Sequence, residues 1–166
     1  AVLYTTNGLA VQAAPAVVTL VDCSTGSVDE CPLPNHFAGN TGANMTVMLT
    51  PGFVGSLTIT ESNAYIVALT ADGLVVGSED LFGISQTSIA IWEDDSLATE
   101  IDGAVAGELI SFQLVNGTDL YNIEMPTAVN YLNNGLVAQV VPGISTIVEC
   151  EVLTVLGITV GDILEG

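Results

Sequence analysis

A chain of 166 residues with 19 acidic side chains and no lysine or arginine has nothing with which to neutralise phosphate, so nucleic acid and anionic membrane surfaces are excluded as partners. The same absence removes the lysine of a phosphate-binding loop, the amine of Schiff-base chemistry and the guanidinium that grips carboxylates. Apolar residues make up 49% of the chain, yet no apolar run reaches the roughly 18 residues that a membrane-spanning helix needs.

The length suits a single domain with its own core. In an ordinary domain about 25% of residues are charged and about half of those are basic, so the complete loss of basic residues is not chance: either the whole proteome is extremely acidic or selection has removed them from this chain. A formal net charge of −19 attracts counterions such as sodium, calcium or magnesium, or a basic partner. It also leaves trypsin-like proteases no cleavage site, which suits exposure outside a cell. The chain opens Ala1-Val2-Leu3-Tyr4 without methionine, as expected of a mature secreted protein after removal of its signal.

Residues 1–21 read as an extended apolar arm, with a strand expected over 16–21. Val2, Leu3, Tyr4, Leu9, Val11, Val17, Val18 and Leu20 are its candidate assembly residues, because an extended apolar segment can complete the sheet of a neighbouring subunit. Residues 22–43 form a loop rich in Gly, Pro, Ser and Asn. Within it Cys23 and Cys31 are expected to close a small disulfide in an oxidising compartment. Cys150 lies between Glu149 and Glu151, whose charges disfavour a thiolate, so it reads as a small strand residue or an intersubunit bridge. His36 is the only histidine. No nucleophile elbow and no zinc-ligand cluster accompanies it, so it reads as a polar loop residue and the chain as no enzyme.

Residues 44–166 form the body. Short β-branched runs recur there between Gly, Asn, Asp and Pro, the pattern of an antiparallel β-sandwich of jelly-roll or Ig-like type. Strands are expected over 44–50, 56–60, 64–70, 73–77, 87–92, 108–114, 119–125, 135–141 and 145–155. Asp72-Gly73 and Asn116-Gly117 accept the positive φ of tight hairpins, and Asn134-Gly135 offers a third turn. In 108–114, Ile110, Phe112 and Leu114 alternate with Ser111 and Gln113, a half-buried strand. Val152-Leu153-Thr154-Val155-Leu156 and Ala16-Val17-Val18 are apolar on both faces. In an all-β protein that implies burial under a covering loop or against another subunit.

The candidate metal site is the acidic turn holding Glu93, Asp94, Asp95, Glu100 and Asp102, whose carboxylates offer the oxygen shell that calcium takes. Its spacing is not that of an EF-hand, and the alternative is a solvated charged loop. With 19 acidic residues, some carboxylates pair in any fold, so a glycosidase dyad carries no signal. Asn44-Met45-Thr46 and Asn116-Gly117-Thr118 fit the N-glycosylation pattern. Trp92 ends an apolar strand and reads as core before sugar platform.

Residues 44–124 include Asn44-Met45-Thr46-Val47, Asp72-Gly73-Leu74-Val75-Val76-Gly77 and Ile89-Ala90-Ile91-Trp92 with Asp94-Asp95-Ser96. Asp102-Gly103 then leads into Gly107-Glu108-Leu109-Ile110-Ser111-Phe112. These pieces resemble β-rich modules of large secreted surface and adhesin proteins of marine bacteria, especially Bacteroidetes. The resemblance implies an extracellular structural or adhesive module without enzyme activity.

The expectation is therefore a structural subunit of an extracellular filament, pilus-like fibre or surface layer, polymerising with copies of itself through β-strands, since a head-to-tail contact that does not close makes a filament. The C-terminal segment 147–163 is the alternative donor to the N-terminal arm. Two other readings compete: a calcium-dependent adhesin or carbohydrate-binding module with a glycan partner, and a viral capsid decoration or fibre protein.

Overall fold

Burial alternates along the strands, and that alternation assigns their faces. In a computed structural model of the chain, which describes residues 2–4, 10–12, 32–39, 42–95 and 99–149, β3 (Asn44–Leu49) buries Met45, Val47 and Leu49. The residues between them face outward. β6 (Thr87–Trp92) buries Ile89 and Ile91 in the same way, and β7 (Leu109–Asn116) buries Ile110, Phe112 and Leu114.

The strands make two sheets of one all-β sandwich. In the first, β10 (Leu136–Gln139), β3 and β6 lie in that order. The second has the order β11-β8-β7-β4-β5. Its further members are β4 (Tyr65–Leu69), β5 (Val75–Asp80), β8 (Asp119–Glu124) and β11 (Ile144–Ile147). A short β9 (Val129–Asn130) also pairs with β7. β8 and β9 follow one line along β7, interrupted by an excursion through Pro126, which has no N–H to give a ladder. Phe53, Phe112, Tyr131, Ile66, Leu81 and the inward residues of β3 and β6 fill the space between the sheets. β1 (Val2–Tyr4) and β2 (Ala10–Gln12) form a separate antiparallel two-stranded sheet.

Two expected hairpins form as their turn residues demand. Gly73 (φ 83°) joins β4 to β5 and Gly117 (φ 72°) joins β7 to β8. Asn134 also takes a left-handed φ of 56°, but its turn links β9 to β10, which lie in different sheets, so it makes no hairpin.

Other expectations are corrected. Residues 56–60 are not a strand. Pro51 opens a one-turn helix, α1 (Pro51–Val54), and the N–H groups of Thr60 and Glu61 both donate to the Asn116 side chain at 2.9 and 3.0 Å, so no ladder can use them. β5 continues through Gly77 to Asp80. A Cβ at Gly77 would strike the Ala90 carbonyl oxygen, so the glycine permits β5 of one sheet to cross β6 of the other. The pairing is also not purely antiparallel, because β10 lies parallel to β3. The long way from β3 to β10 through six intervening strands allows that direction, whereas a tight hairpin would forbid it. The strand expected over 16–21 and the part of 145–155 beyond Glu149 lie outside the described residues.

Tyr131 marks the core's one polar misfit among large side chains. Only 1% of it is exposed, and its hydroxyl has no hydrogen-bond partner among the described residues. Burial, with the Glu93 carboxylate adding repulsion, pushes its ionisation up to about 12. The folded state thus holds the proton more tightly than the unfolded one. That contribution is fully present below about pH 10 and is lost as pH rises towards about 12, at a slope of at most roughly 1.4 kcal/mol per pH unit. The chain has no lysine or arginine, so only tyrosines and cysteines titrate across that window. Denaturant unfolding at stepped alkaline pH should show this loss, and Tyr131→Phe should reduce it, leaving the smaller part from Tyr65 and Tyr121, whose ionisation burial also raises, with stability at pH 7 unchanged or raised.

Candidate functional site

One side of the sandwich is closed and the other is open. On the closed side β5 packs over β6 at Gly77. On the open side lie β10 and β11, the edge strands of the two sheets, joined by the short connection 140–143. Neither pairs with a further strand among the described residues.

The chain builds this connection around α1. Phe53 is fully buried, and a Cβ at Gly143 would fall 2.6 Å from its ring, so only glycine can turn there. The Ser56 hydroxyl donates to the Phe53 carbonyl at 2.6 Å and accepts the Gly143 N–H at 3.0 Å. Gln139 is the second anchor. Its side chain, fully buried, donates to the Thr127 carbonyl at 2.7 Å and accepts the Thr127 N–H at 3.0 Å, mimicking a strand pair. Its backbone carbonyl accepts from the Thr50 hydroxyl at 2.8 Å. Both edge strands are therefore held rigidly from inside.

Their outward side carries the signal. Leu136, Val140 and Ile144 are 66%, 64% and 59% exposed, with Val141 and Ile147 also open to solvent. Among 19 acidic residues none falls between Glu124 and Glu149. Edge strands are normally guarded by lysine, inward charge, proline or a bulge. Lysine is missing from the whole chain, and Pro142 stands in the connection and not in either strand.

The edge of β11 also has a defined polarity. The Val148 N–H donates to the Leu120 carbonyl at 2.8 Å, continuing the β11–β8 register. Antiparallel strands alternate their hydrogen-bonding direction, so the N–H groups of Ser145 and Ile147 turn away from β8.

The expected metal residues behave differently. Glu93 and Ala104 bridge the two arms of the acidic loop, and a Cβ at Gly103 would strike the Glu93 and Asp94 backbone. The Asp94 carboxylate accepts the Asp102 N–H at 2.9 Å, while the Asp102 carboxylate accepts the Asp95 N–H at 3.2 Å. Glu93 accepts from the Asn133 amide at 3.0 Å. No three carboxylate, histidine or cysteine side chains gather at one point among the described residues. Glu100 lies on the same loop and is exposed. With two carboxylates bracketing the loop's own backbone, we expect calcium and sodium chloride at matched ionic strength to raise the melting temperature equally. A larger rise in calcium would mean that the brackets open to coordinate it.

His36 stacks on Tyr65 with ring centroids 3.8 Å apart and lies 3.8 Å from the Asp80 carboxylate. Tyr65 donates to the Pro34 carbonyl at 2.6 Å, and the Phe37 N–H donates to Ser78 at 2.9 Å. The segment thus clips the chain between arm and body onto β4 and β5. The Asn116 of the second glycosylation triplet is buried in three hydrogen bonds to Thr60 and Glu61, which closes it to modification in the folded chain. Trp92 is half-buried at the end of β6. A cleft of about 400 Å³ between Thr70, Leu74, Ile101, Val105 and Glu108 has no aromatic wall among the described residues.

Of the assembly residues, Val2, Leu3, Tyr4 and Val11 lie in β1 and β2. Leu9, Val17, Val18, Leu20, Cys23, Cys31 and Cys150 fall outside the described residues. The candidate β10–β11 edge is not among the residues expected from the sequence, although its run 125–148 carries no charge. No family model, curated protein or solved structure matches this chain.

Proposed function

We propose that the protein is a structural subunit of an extracellular filament or surface layer, joined to its copies by β-strand addition. The observation that carries this reading is the unguarded edge of β10 and β11, apolar and free of charge in a chain of formal net charge −19. An exposed row of backbone N–H and C=O groups is a template for another strand. In this chain it is also where copies can approach without setting carboxylate against carboxylate. Elsewhere their repulsion extends over ~8 Å at physiological ionic strength. The secreted setting agrees with the lack of trypsin sites and with the resemblance to surface-protein modules.

Electron microscopy and sedimentation of the purified chain test the reading. Fibres or sheets are expected, growing with protein concentration and with added salt. A homogeneous monomer at all concentrations and salt levels would contradict it.

A further inference from the structure

We propose, resting on the assembly reading above, that the strand added at β11 is the N-terminal β1–β2 hairpin of a second copy. Charge selects the pair of surfaces. Residues 1–21 precede the first acidic side chain, Asp22, and the run 125–148 holds β10 and β11; both are free of carboxylates. A contact between these two segments brings no like charges together, whereas contact through the Asp72 turn, the Asp119 turn or the 93–102 loop does.

The hairpin supplies the second argument. β1 and β2 pair only with each other, over Val2–Gln12, Leu3–Val11 and Tyr4–Ala10, and with neither sheet of the body among the described residues. A two-stranded sheet is marginal in water alone and gains stability from a third strand. β11 offers that third strand, because the Ser145 and Ile147 N–H groups face away from β8. β11 is preferred to β10 because its line runs on to Val148, which fixes Ser145 and Ile147 as the residues whose N–H groups face outward. The donor and acceptor are different surfaces at different ends of the chain. Such a contact is heterologous and propagates as an open polymer unless its rotation closes a ring.

The test uses full-length variants. Leu3→Pro with Val11→Pro breaks the donor hairpin. Ile147→Pro removes an outward N–H from the acceptor while leaving the ladder to β8 intact, and Ser145→Pro serves if that variant fails to fold. Circular dichroism and melting confirm the folded body in each. Each variant alone should sediment as a monomer, with self-association at least roughly 100-fold weaker than wild type. An equimolar mixture should form a one-to-one dimer, because one partner keeps an intact hairpin and the other an intact edge. If the hairpin variant polymerises like wild type while the Ile147 variant does not, the donor is another segment and the edge reading survives without this proposal. If Ile147→Pro and Ser145→Pro both polymerise like wild type, the proposal and the edge reading fall together. A mixture that stays monomeric overturns the head-to-tail pairing, and a monomeric wild type overturns the assembly reading itself.

Discussion

Phe53→Ala should destabilise the protein by about 4 kcal/mol, the range for emptying an aromatic site in a packed core. Phe53 is fully buried in α1, packs within the core between the sheets and carries Gly143 against its ring. Its loss removes the floor beneath the β10–β11 connection as well as the core volume. Denaturant unfolding should therefore show the stability loss. Sedimentation should show weakened self-association under conditions in which the variant is still folded. A variant that is less stable but assembles with wild-type affinity would separate α1 from the edge it is argued to support.

Gln139→Ala should lower stability by about 3 kcal/mol, or the melting temperature by roughly 10 °C. Two effects combine. The Thr127 N–H and carbonyl lose partners at 3.0 and 2.7 Å, and a fully buried side chain leaves a void. Gln139→Glu is the sharper variant at neutral pH. It keeps an acceptor for the Thr127 N–H but buries a charge and sets a carboxylate oxygen against the Thr127 carbonyl. It should be at least as damaging as alanine. Thermal melts of the two variants decide this, and a harmless glutamate would mean that the side chain is not held as described.

Much of the fold was legible because local rules and the tertiary structure agree. Alternation over 108–114 placed Ile110, Phe112 and Leu114 on one buried face, the runs 44–50 and 87–92 marked β3 and β6, and Gly73 and Gly117 marked their hairpins. Misreadings arose where distant residues decide. Ser56 to Thr60 looks like a strand until Asn116, far along the chain, takes the N–H groups of Thr60 and Glu61. Gly77 looks like a strand end until Ala90 is placed against it. The parallel β10–β3 pair has no local signature, since direction depends on the path of the whole chain. In the acidic turn, where the density of charge drew attention, the Asp94 and Asp102 carboxylates accept from the loop's own backbone and Glu93 accepts from Asn133. The proposed edge is marked instead by an absence, the run from Met125 to Val148 that carries no charge.

Amide hydrogen exchange along β11, measured as a function of protein concentration, tests the central claim most directly. Thr146 and Val148 donate towards β8 and should be protected at every concentration. Ser145 and Ile147 face away from β8. In dilute monomer they should exchange quickly, and their protection should rise at least tenfold, by an order-of-magnitude estimate, as subunits assemble. Assembly that leaves Ser145 and Ile147 as exposed as in the monomer would contradict strand addition at this edge.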